Sequence, residues 1–356
     1  MHMADALLSP VVGGTMWGVT AVSITCCSRK VRTEMDDRKI PLMGVLGAFI
    51  FAAQMINFSI PVTGSSGHLG GGVMLSILLG PYAAFLTIAS VLVIQAFFFA
   101  DGGLLALGCN IFNLGFLPAF IAYPLVYRKI VGREASPAKI STASIAAAII
   151  ALQLGSFGVV LETVLSGISS LPFSTFVLIM QPIHLAIGAI EGIVTASIIS
   201  FIYNARPEIL QATIEDRSSS TERIHGILVG LLVSALFMGG IFSWFASERP
   251  DGLEWSIAKT SGQQELRNPA DWLHSTTATI QNKLALLPDY SFRRITETKP
   301  AEITATTATV RQNKAEARDS QDSRLGTSVS GIVGGFLTLG LALMIGFVLK
   351  RIKQTP

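Results

Sequence analysis

The sequence predicts an all-α polytopic membrane protein, and two observations carry that prediction. Half of the 356 residues are hydrophobic and 14% are charged, whereas soluble domains carry about 25% charged residues. Apolar runs long enough to cross a bilayer recur along the chain. We predict about seven N-terminal transmembrane segments, one of them broken at Gly80-Pro81, plus two C-terminal transmembrane helices that flank an extracytoplasmic domain.

The clearest predicted segments are apolar runs near or above the roughly 20 residues that cross a bilayer. In chain order they are 7–27, 40–60, 104–127, 138–166, 174–203, 226–246 and 328–349. The run at 138–166 is long, and we expect it to include an interfacial turn. Region 61–103 is also apolar, but Gly80-Pro81 interrupts it near its middle.

Basic residues between the segments set the orientation, since cytoplasmic loops carry an excess of Lys and Arg. Four clusters stand out: Arg29, Lys30, Arg32, Arg38 and Lys39; Arg128, Lys129, Arg133 and Lys139; Arg206, Arg217 and Arg223; Lys350, Arg351 and Lys353. Placing all four in the cytoplasm puts the N-terminus on the outer side.

With that orientation, region 61–103 begins and ends outside and crosses an even number of times. Pro81 lacks a backbone donor, so we predict two legs, 70–80 and 82–100, that meet at Gly80-Pro81. A leg of about 11 residues is too short to cross the hydrocarbon alone. His68 should therefore lie below the outer surface, where irregular backbone is tolerated only inside protein or beside a cavity.

The chain start suggests a metal site. The Met1 amine, the His2 amide nitrogen and His2 Nδ1 can chelate an ion in one plane, and His68 could complete a four-nitrogen square. Planar nitrogen coordination points to Ni(II) or Cu(II). Taken alone, a Met-His opening is more often without a ligand role. The glycines of run 64–72 allow a loop to fold around an inserted chain start, although small residues for helix packing are an equally open reading of several of them.

Other sequence features narrow the function. No basic n-region or cleavage site precedes the first apolar run, so we expect a mature chain that keeps Met1. No phosphate-binding loop GxxxxGK[ST] occurs, so we expect that the chain does not use ATP itself and is not an enzyme. The three cysteines form no CxxC motif and suit core positions.

Four stretches occur in order: MHMADALLSP at the start, NFSIPVTGSSGHLGGG (57–72), ADGGLLALGCNIFNLG (100–115) and HLAIGAIEG (184–192). Together they resemble the CbiM/NikM family, the substrate-binding (S) subunits of cobalt/nickel energy-coupling-factor (ECF) transporters. The resemblance implies that Met1, His2 and His68 hold the metal. The opening departs from the usual MHIPDG of that family, with Met3, Ala4 and Ala6 in place of Ile, Pro and Gly.

The second part of the chain has its own resemblance. The stretches ERPDGLEWSIAK (248–259) and LPDYSF (287–292) resemble the NikN/PDGLE-type accessory subunit. The predicted organisation is a metal-binding membrane domain at 1–205, a cytoplasmic linker at 206–225 and an accessory unit at 226–350. That unit comprises helix 226–246, an extracytoplasmic section 247–327 and helix 328–349. We expect 296–323 to be flexible or a loose helix.

The resemblance implies an ECF-type importer in the cell (inner, cytoplasmic) membrane. Its transported substrate would be Ni(II) or Co(II), without an organic cofactor. Its partners would be a transmembrane coupling (T) subunit and ATPase subunits. A passive divalent-metal channel or a membrane metal sensor remains the alternative. Faces rich in small residues, such as 146–148 or 188–196, are candidate docking surfaces.

Polar residues near the proposed site are candidates for an outer ring around the metal ligands, where they could hydrogen-bond an imidazole. They are Asn57, Ser65, Ser66, Asn110 and Asn113. For the asparagines, helix-to-helix contacts are equally open. His184 and Glu191 are spaced to share one helix face, and we expect them to contact each other. His225 and His274 lie outside the predicted site.

Overall fold

The structure, a computed structural model, describes residues 2–34, 39–132, 134–206, 225–263, 266–292 and 308–354. Helices account for most of it, as predicted. In chain order they are α1 (Pro10–Glu34), α2 (Lys39–Gln54), α3 (Gly72–Leu79), α4 (Pro81–Phe98), α5 (Leu107–Val131), α6 (Pro137–Ser166), α7 (Phe173–Ala205), α8 (His225–Gly240), α9 (Gly252–Ser261), α10 (Trp272–Leu284) and α11 (Ala308–Gln354).

Short elements complete the fold. Single 3-10 turns cover Asp5–Leu7, Phe242–Phe245 and Pro288–Tyr290. Two strands of two residues each, β1 (Phe58–Ser59) and β2 (Ser66–Gly67), pair antiparallel with Phe58 opposite Gly67. This ladder brings the glycine-rich run back toward the end of α2.

Among the described residues, six helices are long and apolar enough to cross a membrane: α1, α4, α5, α6, α7 and the 324–353 part of α11. Helices α2 and α8 are apolar but shorter. The chain is therefore a multi-pass helical membrane protein, while the total of seven plus two segments stays a prediction.

Several predicted boundaries need correction. Helix α6 runs through 30 residues without a turn, so no interfacial break interrupts it. Helix α1 continues to Glu34, which places Arg29, Lys30 and Arg32 in its last turns rather than in a loop. Helix α11 begins at Ala308, earlier than the predicted boundary at 328. Residues 207–224, which include Arg217 and Arg223, and the basic residues Arg38 and Arg133 lie outside the described part of the chain.

The break between α3 and α4 falls where the sequence predicts it. Gly80 has φ 78° and ψ 163°, a conformation that residues with a side chain rarely adopt, and Pro81 opens α4. Every residue of α3 is buried. The short leg thus ends inside the protein, with the glycine-rich loop at its start.

Helices α6 and α7 pack closely through small residues. A Cβ added to Gly192 of α7 would lie 2.6 Å from Ile145 Cα, and one added to Gly188 would lie 3.0 Å from Ile149 Cα. Ala147 and Ala148 are fully buried. These small residues therefore serve packing within the chain, which corrects their assignment to a docking surface.

The two C-terminal apolar helices, α8 and α11, pack against each other and against α2. The backbones of α8 and α11 approach each other closely at Gly239 and Gly331, where a Cβ on Gly331 would overlap the carbonyl of Gly239. Small residues allow such close approach in lipid, where dispersion contacts stabilise helix pairs. Helices α9 and α10 lie at the end of the molecule that carries the N-terminal segment.

We predict that Gly331→Ala destabilises the protein by about 1–3 kcal/mol, because the added methyl forces α8 and α11 apart. The matched control is Gly335→Ala on the same helix, where the nearest atom to an added Cβ is Ala48 Cβ at 4.0 Å. That control should be neutral or slightly stabilising, since Ala is the better helix former. Thermal unfolding of both variants in detergent measures the difference, and equal melting temperatures would contradict the close packing.

Candidate metal centre

The N-terminal segment is held inside the protein by its backbone. The Met3 N–H donates to Asn110 Oδ1 (2.8 Å), while the Met3 carbonyl accepts from the Gly103 N–H (2.9 Å) and from Asn110 Nδ2 (3.3 Å). Met3 is fully buried. A Cβ on Gly103 would collide with the Asp5 carboxylate, so this close approach requires glycine.

Asp5 secures the segment a second time. Its Oδ1 accepts from the Ala106 N–H (3.0 Å), just before α5, and its Oδ2 accepts from the Thr277 hydroxyl (2.9 Å) on α10. Asp5 is also the first residue of the N-terminal 3-10 turn. The chain start is therefore fixed between the membrane helices and the accessory unit.

His2 is 7% exposed and reaches Asp101, with Nδ1 3.0 Å from Asp101 Oδ1. The second oxygen of Asp101 accepts from the phenol of Tyr290. Burial alone would raise the pKa of Asp101, but the charge and hydrogen bond of His2 and the Tyr290 hydroxyl hold it below its ordinary range. Asp101 is therefore ionised. Among the described residues, buried His2 Nε2 has no hydrogen-bond partner.

His68 lies beside His2. The ring centres are 5.0 Å apart and the planes are within 9° of parallel. His68 Nδ1 is 3.2 Å from the Leu69 carbonyl, and an N–H donated there would leave the lone pair of the ring on Nε2. Burial lowers the pKa of His68 to about 3. The imidazole is thus neutral near pH 7, which is the form that binds metals.

The loop that carries His68 is anchored by a buried carboxylate. Glu191 of α7 accepts from the Gly70 N–H (2.7 Å) and the Gly71 N–H (3.0 Å). The Gly70 carbonyl accepts from Gln54 Nε2 (2.9 Å), whose Oε1 in turn accepts from Gln95 Nε2 (2.8 Å). Gly71 has φ 79° and touches Ile50, which leaves no room for a side chain. The N–H groups of Gly70 and Gly71 and the carbonyl of Gly70 therefore all have side-chain hydrogen-bond partners.

Residues 249–252 of the accessory unit cover this loop and form what we call the roof of the site. The Pro250 carbonyl accepts from the Ser66 N–H (2.8 Å), and the Arg249 carbonyl accepts from the Ser66 hydroxyl (2.7 Å). The next residue, Asp251, caps α9 and places Oδ2 3.9 Å from His68 Nε2. Gly252 lies against His184 and Ile187 of α7 without space for a Cβ.

A cavity of about 510 Å³ opens between the membrane helices and the accessory unit. Both imidazoles line it, together with carboxylates from both parts of the chain. The lining includes His2, His68, Asp101, Asp251, Glu254 and Tyr290. The arrangement gives a divalent cation an approach lined by carboxylates to the His2 and His68 imidazoles.

Of the predicted metal ligands, His2 and His68 meet in the structure, whereas Met1 lies outside the described residues. No group of three or more His, Cys, Asp or Glu side chains suited to a metal occurs in the described part of the chain. A site made of two backbone nitrogens and two imidazoles would not contain such a group.

The predicted outer ring has mixed placement. Asn110 binds the Met3 backbone, and Asn57 lines the cavity, its carbonyl accepting from the Ser247 N–H (2.7 Å). Ser65 Oγ is 2.8 Å from Thr63 Oγ1, and Ser66 binds the accessory unit. Asn113 donates to Glu162 Oε2 (2.7 Å), away from the imidazoles.

The expected pairing of His184 with Glu191 is wrong. His184 Nδ1 donates to the Met180 carbonyl (2.8 Å), one turn back on α7, and Glu191 is taken by the glycine loop. The sequence did not predict that four further residues lie near the site: Asp101, Asp251, Tyr290 and His274. Asp101 and Asp251 lie inside stretches that already stood out, ADGG and PDGLE, and that was the available signal.

Comparisons with known proteins identify a family for each part of the chain. The family profile described as "Cobalt uptake substrate-specific transmembrane region" (CbiM) matches residues 2–209, and that of the PDGLE domain matches 225–351. A provisionally named metal transport protein of Haloquadratum walsbyi is 37% identical over 62% of this chain and 99% of its own.

Two further comparisons cover different lengths. A provisionally named fused nickel transport protein, NikMN, of Archaeoglobus fulgidus is 30% identical over the whole of both chains. A crystal structure of a transition metal transporter superposes with a TM-score of 0.52 at 27% identity, covering 59% of this chain and 96% of that one.

We predict that Glu191→Ala destabilises the glycine-rich loop, because two buried N–H groups lose their acceptor at about 1–3 kcal/mol each. Glu191→Gln should cost less, since one amide oxygen remains. Hydrogen exchange at residues 69–72 should rise in the order wild type, Gln, Ala. The matched control is Glu162→Gln, which alters a buried glutamate that accepts from Asn113 instead of from the loop. It should leave hydrogen exchange at residues 69–72 unchanged.

Proposed function

The chain belongs to the CbiM family of cobalt uptake substrate-specific transmembrane regions and carries a fused PDGLE domain, and on that premise we propose that it is the substrate-binding subunit of an ECF-type importer for nickel or cobalt. The proposal follows the names of its relatives, a fused nickel transport protein and a transition metal transporter. It acts in membrane transport and not as an enzyme.

The observation that carries the proposal is the contact between His2 and His68. Two imidazoles at adjacent corners of one planar site, each with a metal–nitrogen bond of about 2 Å, have ring centres about 4.5 Å apart. The His2 and His68 rings are stacked with their centres 5.0 Å apart, so the two side chains are already at about the separation that a shared ion requires. Burial of both rings supports a site that strips water from the ion.

The proposed ligands are the Met1 amine, the His2 amide nitrogen, His2 Nδ1 and His68. The ion replaces the proton on His2 Nδ1, and Asp101, which holds that nitrogen at 3.0 Å, stays beside it as a compensating charge. Asn57, Ser65, Ser66 and Asn110 form the outer ring, with Asn110 fixing the chain next to His2. Asn113, which donates to Glu162, is not part of it. The ion is the transported substrate, and no organic cofactor takes part.

The choice of metal follows from the donor set. Four nitrogens in a plane suit Ni(II), and Co(II) can use the same donors, whereas Ca(II) and Mg(II) require oxygen ligands. Copper would bind such a site even more tightly, so selectivity in the cell depends on which metal is available.

The proposed assembly has the N-terminus on the outer side of the cell (inner, cytoplasmic) membrane, because the basic clusters mark the cytoplasmic ends. Residues 1–205 form the metal-binding domain, 206–225 the cytoplasmic linker and 226–350 the accessory unit with its extracytoplasmic section. A T subunit and ATPase subunits complete the importer and reorient the loaded site toward the cytoplasm.

The alternative is a passive divalent-metal channel or a membrane metal sensor. The buried, multiply anchored chain start favours capture over a channel, which needs weak and reversible contacts along a path. Uptake into vesicles by this chain without an ATPase would support the channel, and uptake that requires co-reconstituted T and ATPase subunits with ATP would support the importer.

We predict that the purified full-length chain binds one Ni(II) and that His68→Ala or His2→Ala lowers its affinity at least 100-fold, because each removes a nitrogen ligand. One residue added ahead of Met1 should also weaken binding and change the Ni(II) absorption spectrum. Calorimetric titration measures the affinities. His225→Ala, an exposed histidine at the start of α8, is the control. Equal affinity in all variants would refute the site.

A further inference from the structure

One face of α10 lies along the N-terminal segment and the loop after α4. His274, Thr277 and Gln281 are spaced three and four residues apart, so they share that face. Thr277 donates to Asp5 Oδ2 (2.9 Å), and Gln281 Nε2 donates to the carbonyls of Ala96 (2.9 Å) and Gly102 (2.7 Å). The accessory unit therefore contacts both segments that hold His2 and Asp101.

His274 makes the closest of these connections and is fully buried. Its Nε2 lies 3.1 Å from the Asp5 carbonyl and 3.0 Å from the Leu8 carbonyl, while its Nδ1 lies 2.6 Å from Asp271 Oδ2. All three partners accept hydrogen bonds, so the ring satisfies all of them only when both of its nitrogens carry a proton, as in an imidazolium. The carboxylates that face it are Asp271, on its own helix, and Asp5, through Thr277.

Asp271 is well placed to hold this ring. Its Oδ1 caps α10 by accepting from the N–H groups of Leu273 and His274 (3.0 Å each), which leaves Oδ2 for the imidazolium. The same carboxylate therefore both caps α10 and fixes the His274 ring. Because charged hydrogen bonds are stronger than neutral ones, the ion pair fixes the ring more firmly than a neutral histidine would.

The segment that His274 grips has little stiffness of its own. Residues 2–9 contain neither proline nor glycine, and their only regular element is the turn Asp5–Leu7. The Asp5 and Leu8 carbonyls lie at the two ends of that turn. A donor shared between them holds the turn closed and fixes the path of the chain toward His2.

We propose that the accessory unit completes the metal site of the same chain by clasping its N-terminal segment, with His274 as the positioning residue and Asp271 as its anchor. This inference rests on the proposed function. Two of the four proposed donors are backbone nitrogens, which have no side-chain freedom with which to find the ion. Their geometry is therefore set by whatever fixes the backbone of this segment.

The test compares His274→Gln with wild type in the full-length chain, in nanodiscs and without metal. Glutamine keeps a polar side chain but cannot donate in both directions. Hydrogen exchange at residues 3–8 should rise at least tenfold, while exchange in α4 and α6 stays unchanged. Ser275→Ala, an exposed neighbour whose hydroxyl donates to the Trp272 carbonyl within α10, is the matched control. Exchange at residues 3–8 equal to wild type would overturn the clasp.

The second measurement is calorimetric Ni(II) titration of the same samples. Loss of an outer positioning group costs roughly 10–100-fold in metal affinity, and that range is expected for His274→Gln. Asp271→Asn keeps the helix cap and removes the anchoring charge, so its Ni(II) affinity should lie between that of His274→Gln and that of wild type. It is the variant to use if His274→Gln does not fold. Unchanged affinity in both variants would overturn the positioning role.

The protonation state of His274 distinguishes a ring that positions the segment through two donated hydrogen bonds from a neutral ring that only fills space. In ¹⁵N-histidine NMR of the wild-type chain near neutral pH, the signals that vanish in His274→Gln should show both nitrogens protonated. A neutral tautomer would overturn the assignment. If the wild type binds no Ni(II) yet His274→Gln still loosens residues 3–8, the proposed function fails and the clasp stands.

Discussion

A polar chain start buried beside an irregular loop must find protein partners for its N–H and C=O groups, and the rest of the structure follows from that constraint. Asn110 and Gly103 pair with Met3, while Glu191 and Gln54 pair with the glycine-rich loop. Each partner comes from a different helix or connection. The helices are therefore arranged around the place where two backbone segments meet, and His2 and His68 are held there as a consequence.

The two parts of the chain contribute different things to that place. The membrane helices supply the floor, with Glu191 and the glutamine pair below the loop. The accessory unit supplies the roof, through the Pro250 carbonyl and Asp251, and also Tyr290, which donates to Asp101. The cavity lies between them, so neither part encloses it alone. This division explains why the outer section of the accessory unit has buried polar groups such as His274, which face the N-terminal segment.

Local sequence rules predicted what depends on neighbouring residues. The apolar runs located the helices, and Gly80-Pro81 located the break between α3 and α4. The pairing of His2 with His68 followed from recognised motifs and orientation. Helical spacing failed for His184 and Glu191, because the loop amides offered Glu191 better partners than a neighbour on its own helix. Contacts such as Tyr290 to Asp101 join residues far apart in sequence, and no local pattern encodes them.

Fusion of the accessory unit to the membrane helices makes the roof an intramolecular partner. A tethered module is present at an effective concentration in the millimolar range, so its interface can stay closed with little intrinsic affinity. The accessory unit is held by hydrogen bonds to backbone carbonyls, as at Phe98, Phe99 and Gly102, and by the stacking of Tyr290 on Phe99. Because the unit is tethered to the membrane helices, a transient opening of this interface would admit an ion to the cavity without dissociation of a subunit.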